Sequence, residues 1–169
     1  MVKVLARWNF LSSAAAVNEI LPCCGSRAWA AAMVARRPLP EESALLAASD
    51  EIWRSLAEAD WLEAFRSHPR IGESRPGESQ SVAWSTQEQR GVVDADDGAR
   101  VALADGNRTY ERRFNRIFIV CATGKSSSEM LALLKWRMTN DAERELPIAV
   151  GEQRKITGLR LAKLVDADE

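Results

Sequence analysis

Ile117-Phe118-Ile119-Val120-Cys121 is the stretch that decides the fold class. It is the one β-like run in the chain, an unbroken apolar segment, mostly branched or aromatic, that stops short of Gly124. One short strand has no partner with which to form a sheet. The run therefore reads as a buried extended connector, and the rest of the chain reads as helices.

Downstream of it, Ser126-x-x-Glu129 is a capping-box pattern that opens a helix over residues 130–138. Asn140 reads as the N-cap of the last helix. Leu146, Ile148, Val150, Ile156, Leu159, Leu161 and Leu164 read as its buried positions. Pro147 falls in the first turns, where it is tolerated better than in the interior. Upstream, a helical region runs from Trp84 through Val92, Val93, Val101 and Leu103 to Tyr110 and Phe114, with a break expected near Gly98 or Gly106. Residues 74–81, with Pro76 and Gly77, read as an exposed loop. Pro69 biases His68 away from helical dihedrals. Trp61, Leu62 and Phe65 mark a short helix before it.

A helix is expected from Pro40, with Glu41 and Glu42 at its positive end and Leu45, Leu46, Ile52, Trp53 and Leu56 on its apolar face. Ser26 reads as the cap of residues 27–36, which Pro38 ends. Asn9 and Ser12 or Ser13 are cap candidates for residues 14–21, punctuated by Pro22 and Gly25. The pattern predicts one all-α domain over residues 1–169, with about seven to nine helices.

Composition narrows the function. Lys plus Arg number 23 and Asp plus Glu number 24, a net charge of −1. That balance lacks the basic excess of a nucleic-acid binder. No apolar run reaches the roughly 20 residues that a bilayer span needs, so no membrane partner is expected. Residues 1–11 lack the continuous apolar core of a signal peptide, and the last residues are not a peroxisomal address. The three cysteines, two of them adjacent, make no disulfide framework, which suits a reducing cytoplasm. With one His and no Cys-x-x-Cys pair, a zinc site is hard to assemble and no metal is expected. The scattered glycines form no phosphate loop or dinucleotide fingerprint.

His68, the only histidine, is the first candidate for chemistry because an ordinary imidazole exchanges protons near neutrality. Ser85, Glu88 and Gln89 share a helical face at i, i+3, i+4. Ser85-Thr86-Gln87-Glu88 is also a capping box, and pattern alone favours that bland reading. Arg160, flanked by Leu159 and Leu161, either points inward to hold a carboxylate in bidentate fashion or sits on a polar face, and pattern alone favours the face. Trp8, Trp29, Trp53, Trp61, Trp84 and Trp136 read as core or edge residues, and Cys121 as a small buried hydrophobe.

Together these segments resemble the 2-oxo-4-hydroxy-4-carboxy-5-ureidoimidazoline (OHCU) decarboxylase family. His68-Pro69-Arg70-Ile71-Gly72 is similar to its His-Pro-x-Ile/Leu-Gly segment. Ser85-Thr86-Gln87-Glu88-Gln89-Arg90-Gly91 is similar to its Ser-x-x-Glu-Gln-x-Gly segment. Asn107-Arg108-Thr109-Tyr110-Glu111-Arg112-Arg113-Phe114 matches its Asn-x-x-Tyr-x-x-Arg/Lys-Phe segment. Arg37-Pro38, residues 60–65, Asn140-Asp141 and Leu159-Arg160-Leu161 follow in order, so the likeness spans about residues 9–164. Asn115 departs from the family's Gly, and Asn tolerates the left-handed conformation better than most residues.

The resemblance implies an all-α homodimer that decarboxylates OHCU to (S)-allantoin and CO2 in urate breakdown without metal or organic cofactor. It implies His68 as catalytic acid/base and Glu88 as its polar partner. It implies Pro69, Ser85, Gln89, Arg160 and the backbone of Phe118, Ile119, Val120 and Cys121 as substrate-binding, with Trp84, Thr86 and Gln87 flanking that surface. A cofactor-free hydrolase of a related ureide would use the same His and Glu on water, and a helical interaction module would use neither.

Overall fold

The computed structural model describes residues 3–71, 84, 85, 87, 88 and 97–166. The expected loop at 74–81, together with Thr86, Gln89, Val92 and Val93, lies outside the described residues. The chain is all-α, and no strand occurs among the described residues. Eight helices are delimited there: α1 Lys3–Phe10, α2 Ser13–Cys24, α3 Arg27–Ala35, α4 Glu42–Ser55, α5 Glu58–Arg66, α6 Asp97–Phe114, α7 Ser127–Arg137 and α8 Ala142–Asp166. The backbone is also helical at Trp84, Ser85, Gln87 and Glu88. Within the single domain the chain divides into two compact units, residues 1–64 with 154–169, and residues 65–153. The last helix thus contributes to both.

In the first unit, α2 packs on α3 and α3 on α4. Ser12 and Ser26 cap α2 and α3 by accepting from the N–H groups of Ala15 and Trp29, as their sequence positions predict. Asn9 is not a cap. Its side chain pairs with both backbone groups of Leu39, and it lies in the last turn of α1, a helix unforeseen in the sequence. Arg37 closes the end of α1 by donating to the carbonyls of Trp8 and Leu11. Pro22 lies inside α2, which stops only at Gly25, a left-handed C-cap with φ 89°. α4 starts after Pro40, and Glu41 caps it without a side-chain hydrogen bond.

Cys23 and Cys24 are fully buried at the end of α2. Burial raises both thiols, Cys24 to about 12, against an ordinary value of 9.0. The folded chain therefore keeps these protons above pH 9.0 while the unfolded chain loses them, so stability falls as pH rises through that range. Each thiol contributes a slope of up to about 1.4 kcal/mol per pH unit. Thermal melts in reductant should show Tm dropping steeply above about pH 9, and Cys23→Ala with Cys24→Ala should flatten the drop. An equal slope in the double variant would remove the thiols as its cause.

In the second unit, α6 packs along α7 over a core of Leu103, Tyr110, Phe114, Phe118, Val120, Met130 and Leu134. α6 is unbroken through Gly98 and Gly106. At Gly106 an added Cβ would lie 2.8 Å from a Leu134 methyl, so this glycine admits α7 and does not end a helix. Asn115 terminates α6 at φ 53°, the left-handed position that its residue type accommodates. The Ser126–Glu129 capping box opens α7, three residues earlier than the apolar pattern suggested. Asp141, not Asn140, caps α8 by accepting from the Arg144 N–H at 2.8 Å. Asn140 instead donates to Glu145 at 3.0 Å. Four of the six tryptophans, Trp8, Trp29, Trp53 and Trp84, are buried and Trp61 is half-buried, whereas Trp136 stands 57% exposed.

Candidate active site

His68, Glu88 and the connector all belong to the second unit, and His68 and the connector are each held by an identifiable piece of the fold. His68 closes the turn after α5, its N–H donating to the Phe65 carbonyl at 3.2 Å. The expected loop position is correct, yet His68 is only 7% exposed and Pro69 is buried beside it. His68 Nε2 lies 2.7 Å from Gln153 Oε1 on α8.

The segment after His68 is fastened to α6. Arg70 forms a bidentate pair with Glu111, its Nε donating at 2.5 Å and its Nη2 at 2.9 Å. Asn107 Nδ2 donates to the Ile71 carbonyl at 3.2 Å. Asn107 and Glu111 are one helical turn apart, so a single face of α6 grips both residues. Tyr110, between them, points into the core and donates to Glu145 at 2.6 Å. Burial, followed by that carboxylate, pushes its phenol up to about 12. The Asn-x-x-Tyr-Glu pattern thus serves to place the histidine segment.

The connector is extended through Phe118, Ile119, Val120 and Cys121, all buried. Three groups of its backbone are held by side chains. Arg137 Nη1 donates to the Ile119 carbonyl at 2.5 Å. Glu152 accepts from the Cys121 N–H at 2.7 Å, and Lys125 Nζ donates to the Cys121 carbonyl at 2.7 Å. Arg137 is itself buried in a salt bridge with Glu145 at 2.5 Å, its guanidinium 4.5 Å from the Phe118 ring centroid.

Burial raises the Cys121 thiol, with Lys125 opposing and Glu152 and Glu88 reinforcing the rise. That places Glu88 within electrostatic reach of the connector. It also keeps Cys121 protonated, as its reading as a small hydrophobe requires. Glu88 is half-buried and Gln87 exposed, whereas Trp84 and Ser85 are buried. Because Trp84 is already helical, Ser85 lies past the N-cap position, and the cap reading of that segment does not hold. Thr86 and Gln89, two further candidates, lie outside the described residues.

Arg160 belongs to the first unit. It is 1% exposed and donates from Nη1 to the Pro22 carbonyl at 3.2 Å, so the inward reading replaces the polar face. Leu159, beside it, is the exposed residue. The buried positions of α8 are Glu145, Ala149, Gln153, Ile156, Thr157, Arg160, Leu161 and Val165, a stripe of which half the residues are polar. Of the positions that the apolar pattern assigned to that face, Ile156 and Leu161 are buried, Leu146, Ile148, Val150 and Leu164 are half-buried and Leu159 is exposed, and the pattern missed Glu152 and Gln153. The i, i+4 series 145–149–153–157 was the signal that would have found Gln153. Among the described residues no cluster of His, Cys, Asp and Glu is arranged to hold a metal ion, and no helix is long and apolar enough to cross a membrane.

Comparison with known proteins gives this arrangement a family. The family model for OHCU decarboxylase matches residues 9–162. The chain is 39% identical over 150 residues to the uric acid degradation bifunctional protein TTL of Arabidopsis thaliana, covering 87% of this chain and 46% of that protein. It thus spans about half the length of that relative. It is 28% identical over 168 residues to the 2-oxo-4-hydroxy-4-carboxy-5-ureidoimidazoline decarboxylase of Amia calva, covering 97% of this chain and 92% of that one. A crystal structure of OHCU decarboxylase in the presence of (S)-allantoin superposes with a TM-score of 0.76 at 36% identity, covering 88% of this chain and 98% of that chain. The likeness runs through the histidine segment, the α6 motif that holds it and the connector alike, and on that footing the chain belongs to the OHCU decarboxylase family.

Proposed function

We infer that this protein decarboxylates OHCU to (S)-allantoin and CO2 in urate degradation, as one catalytic domain over residues 1–169. The observation that carries the reading is the likeness to OHCU decarboxylase across nearly the whole of both chains, with the lone histidine buried in the matching segment.

The chemistry suits the side chains present. The bond to the carboxylate breaks, its electron pair forms a double bond to the adjacent ureido-bearing carbon, and that carbon's ring C=N pair moves to the nitrogen, which takes a proton. The ring hydroxyl then gives up its proton to become a carbonyl as the ureido-bearing carbon takes one, so one proton is consumed for each CO2 released. Because the substrate's own ring accepts the electron pair, no external electron sink is required. The protein has to orient the carboxylate, stabilise developing charge and deliver one proton to one face. We assign proton transfer to His68, with Glu88 as its polar partner. Arg160 is assigned to the carboxylate. Pro69, Trp84, Ser85, Thr86, Gln87, Gln89 and residues 118–121 are assigned to shaping and binding. A homodimer and a cytoplasmic location complete the proposal, the latter supported by the buried thiols of Cys23, Cys24 and Cys121.

The test is to mix the protein with freshly made OHCU, measure CO2, and follow the chirality of allantoin by circular dichroism. One enantiomer with matching CO2 is expected. Consumption of a ureide without CO2 would instead favour a hydrolase.

Two substitutions refine the assignment. Glu88→Ala should lose about 10²-fold in kcat with the fold intact, the low end for lost proton handling. A wild-type rate would remove Glu88 from the chemistry. Arg160→Lys keeps the charge but loses the planar fork. Its kcat/KM should fall about tenfold or more, about 1.4 kcal/mol or more of lost binding. An unchanged kcat/KM would confine Arg160 to its structural bond with Pro22.

A further inference from the structure

Among the described residues, three contacts tie His68 and its flanking backbone to the protein. Its N–H closes the turn on Phe65, the chain beyond Pro69 is gripped by Asn107 and Glu111 through Ile71 and Arg70, and its Nε2 meets Gln153. The first two fix the backbone on either side of the residue. The third fixes the ring. Gln153 is itself fully buried, and the residue before it, Glu152, holds the Cys121 N–H. Consecutive residues of α8 therefore hold the imidazole and the connector.

The atom facing Nε2 at 2.7 Å is the amide oxygen, which accepts and does not donate. Nε2 must therefore carry the hydrogen in the neutral imidazole as well as in the cation. The lone pair that gains and loses a proton is then on Nδ1. A neutral amide does this without adding charge. A carboxylate in its place would also hold Nε2–H but would favour the imidazolium, making the ring a poorer donor.

We propose that Gln153 is a positioning residue for the decarboxylation, locking His68 as the Nε2–H tautomer so that the proton is taken up and delivered at Nδ1. This rests on the reading of His68 as the acid/base. In each turnover Nδ1–H passes its proton to the ureido-bearing carbon. Nδ1 is then reprotonated from solvent, which restores the balance after CO2 departs.

With a single histidine in the chain, nitrogen NMR reads the tautomer without assignment ambiguity. In the neutral state of the wild-type protein, Nε2 should resonate in the pyrrole-like range and Nδ1 in the pyridine-like range, with a slowly exchanging Nε2–H proton. Gln153→Leu should lose that proton signal, and Gln153→Glu should keep it. In turnover, folded Gln153→Leu should lose about 10- to 100-fold in kcat, with KM changed less than about threefold, because substrate still binds but the imidazole is no longer held in register at Nε2. Gln153→Glu should recover part of the rate. A wild-type Nδ1–H tautomer would mean that the Gln153 amide donates to Nε2, and would overturn the proposal. So would a folded Gln153→Leu protein with kcat within about twofold of wild type. The wild-type spectrum needs no variant to fold and no substrate. A chain inactive on OHCU therefore fails in the CO2 assay and not in this one.

Discussion

His68→Asn should abolish enzymatic decarboxylation, lowering kcat by about 10²–10⁴-fold, the range for loss of a general acid/base. Asn keeps polarity and is smaller, but it neither gains nor loses a proton near neutral pH. OHCU can lose CO2 unaided because its ring delocalises the electron pair, so a slow background reaction remains. Protonation in solution reaches both faces of the planar intermediate, and nearly racemic allantoin should result. The burial of His68 adds a structural consequence. The shorter Asn does not reach Gln153 as the imidazole does, and an amide oxygen left without its donor costs about 1–3 kcal/mol. A thermal melt must therefore accompany time-resolved circular dichroism of the product. A folded variant that yields optically pure allantoin at the wild-type rate would end the central assignment.

The largest stability effect is expected at Arg137. Its side chain is 2% exposed and that of its partner Glu145 is 0% exposed. The Glu145 carboxylate also receives Tyr110 at 2.6 Å and Asn140 at 3.0 Å. Arg137→Met fills similar volume but leaves a buried carboxylate without its cation. Breaking one side of such a pair costs about 3–5 kcal/mol. That is a large share of the roughly 5–15 kcal/mol that holds a typical domain. Urea unfolding of the variant should show it, and Glu145→Gln in the Arg137→Met background should recover part of the loss by removing the charge. A loss below about 1 kcal/mol would show that solvent reaches the pair and screens it. The same substitution frees the Ile119 carbonyl, so residual activity should fall with the connector's order.

The two predictions probe different layers. His68 and Glu88 lie where proton transfer is proposed, whereas Arg137, Glu145 and Tyr110 form a support behind the connector. Activity loss out of proportion to any stability loss marks the first layer. Stability loss with activity following it marks the second.

The sequence by itself determined the helical class, because a lone β-like run has no partner strand, and it determined two caps, Ser26 and the Ser126–Glu129 box, while leaving Ser12 among three candidates for α2, because capping depends on contacts within four residues. It also marked His68, since one histidine before a proline in a family-like segment is legible without geometry. The left-handed turn at Asn115 was readable for the same local reason. Only the tertiary structure decided which face of α8 is buried. Hydropathy points to Leu159, yet Glu145, Gln153, Thr157 and Arg160 are inside, because each finds partners that offset the loss of water. Such partners lie far away in the chain: Gln153 is 85 residues from His68 and Arg160 is 138 from Pro22. Polarity pattern counts the cost of burying a polar side chain but not the hydrogen bond that repays it, and that bond exists only once the chain has folded.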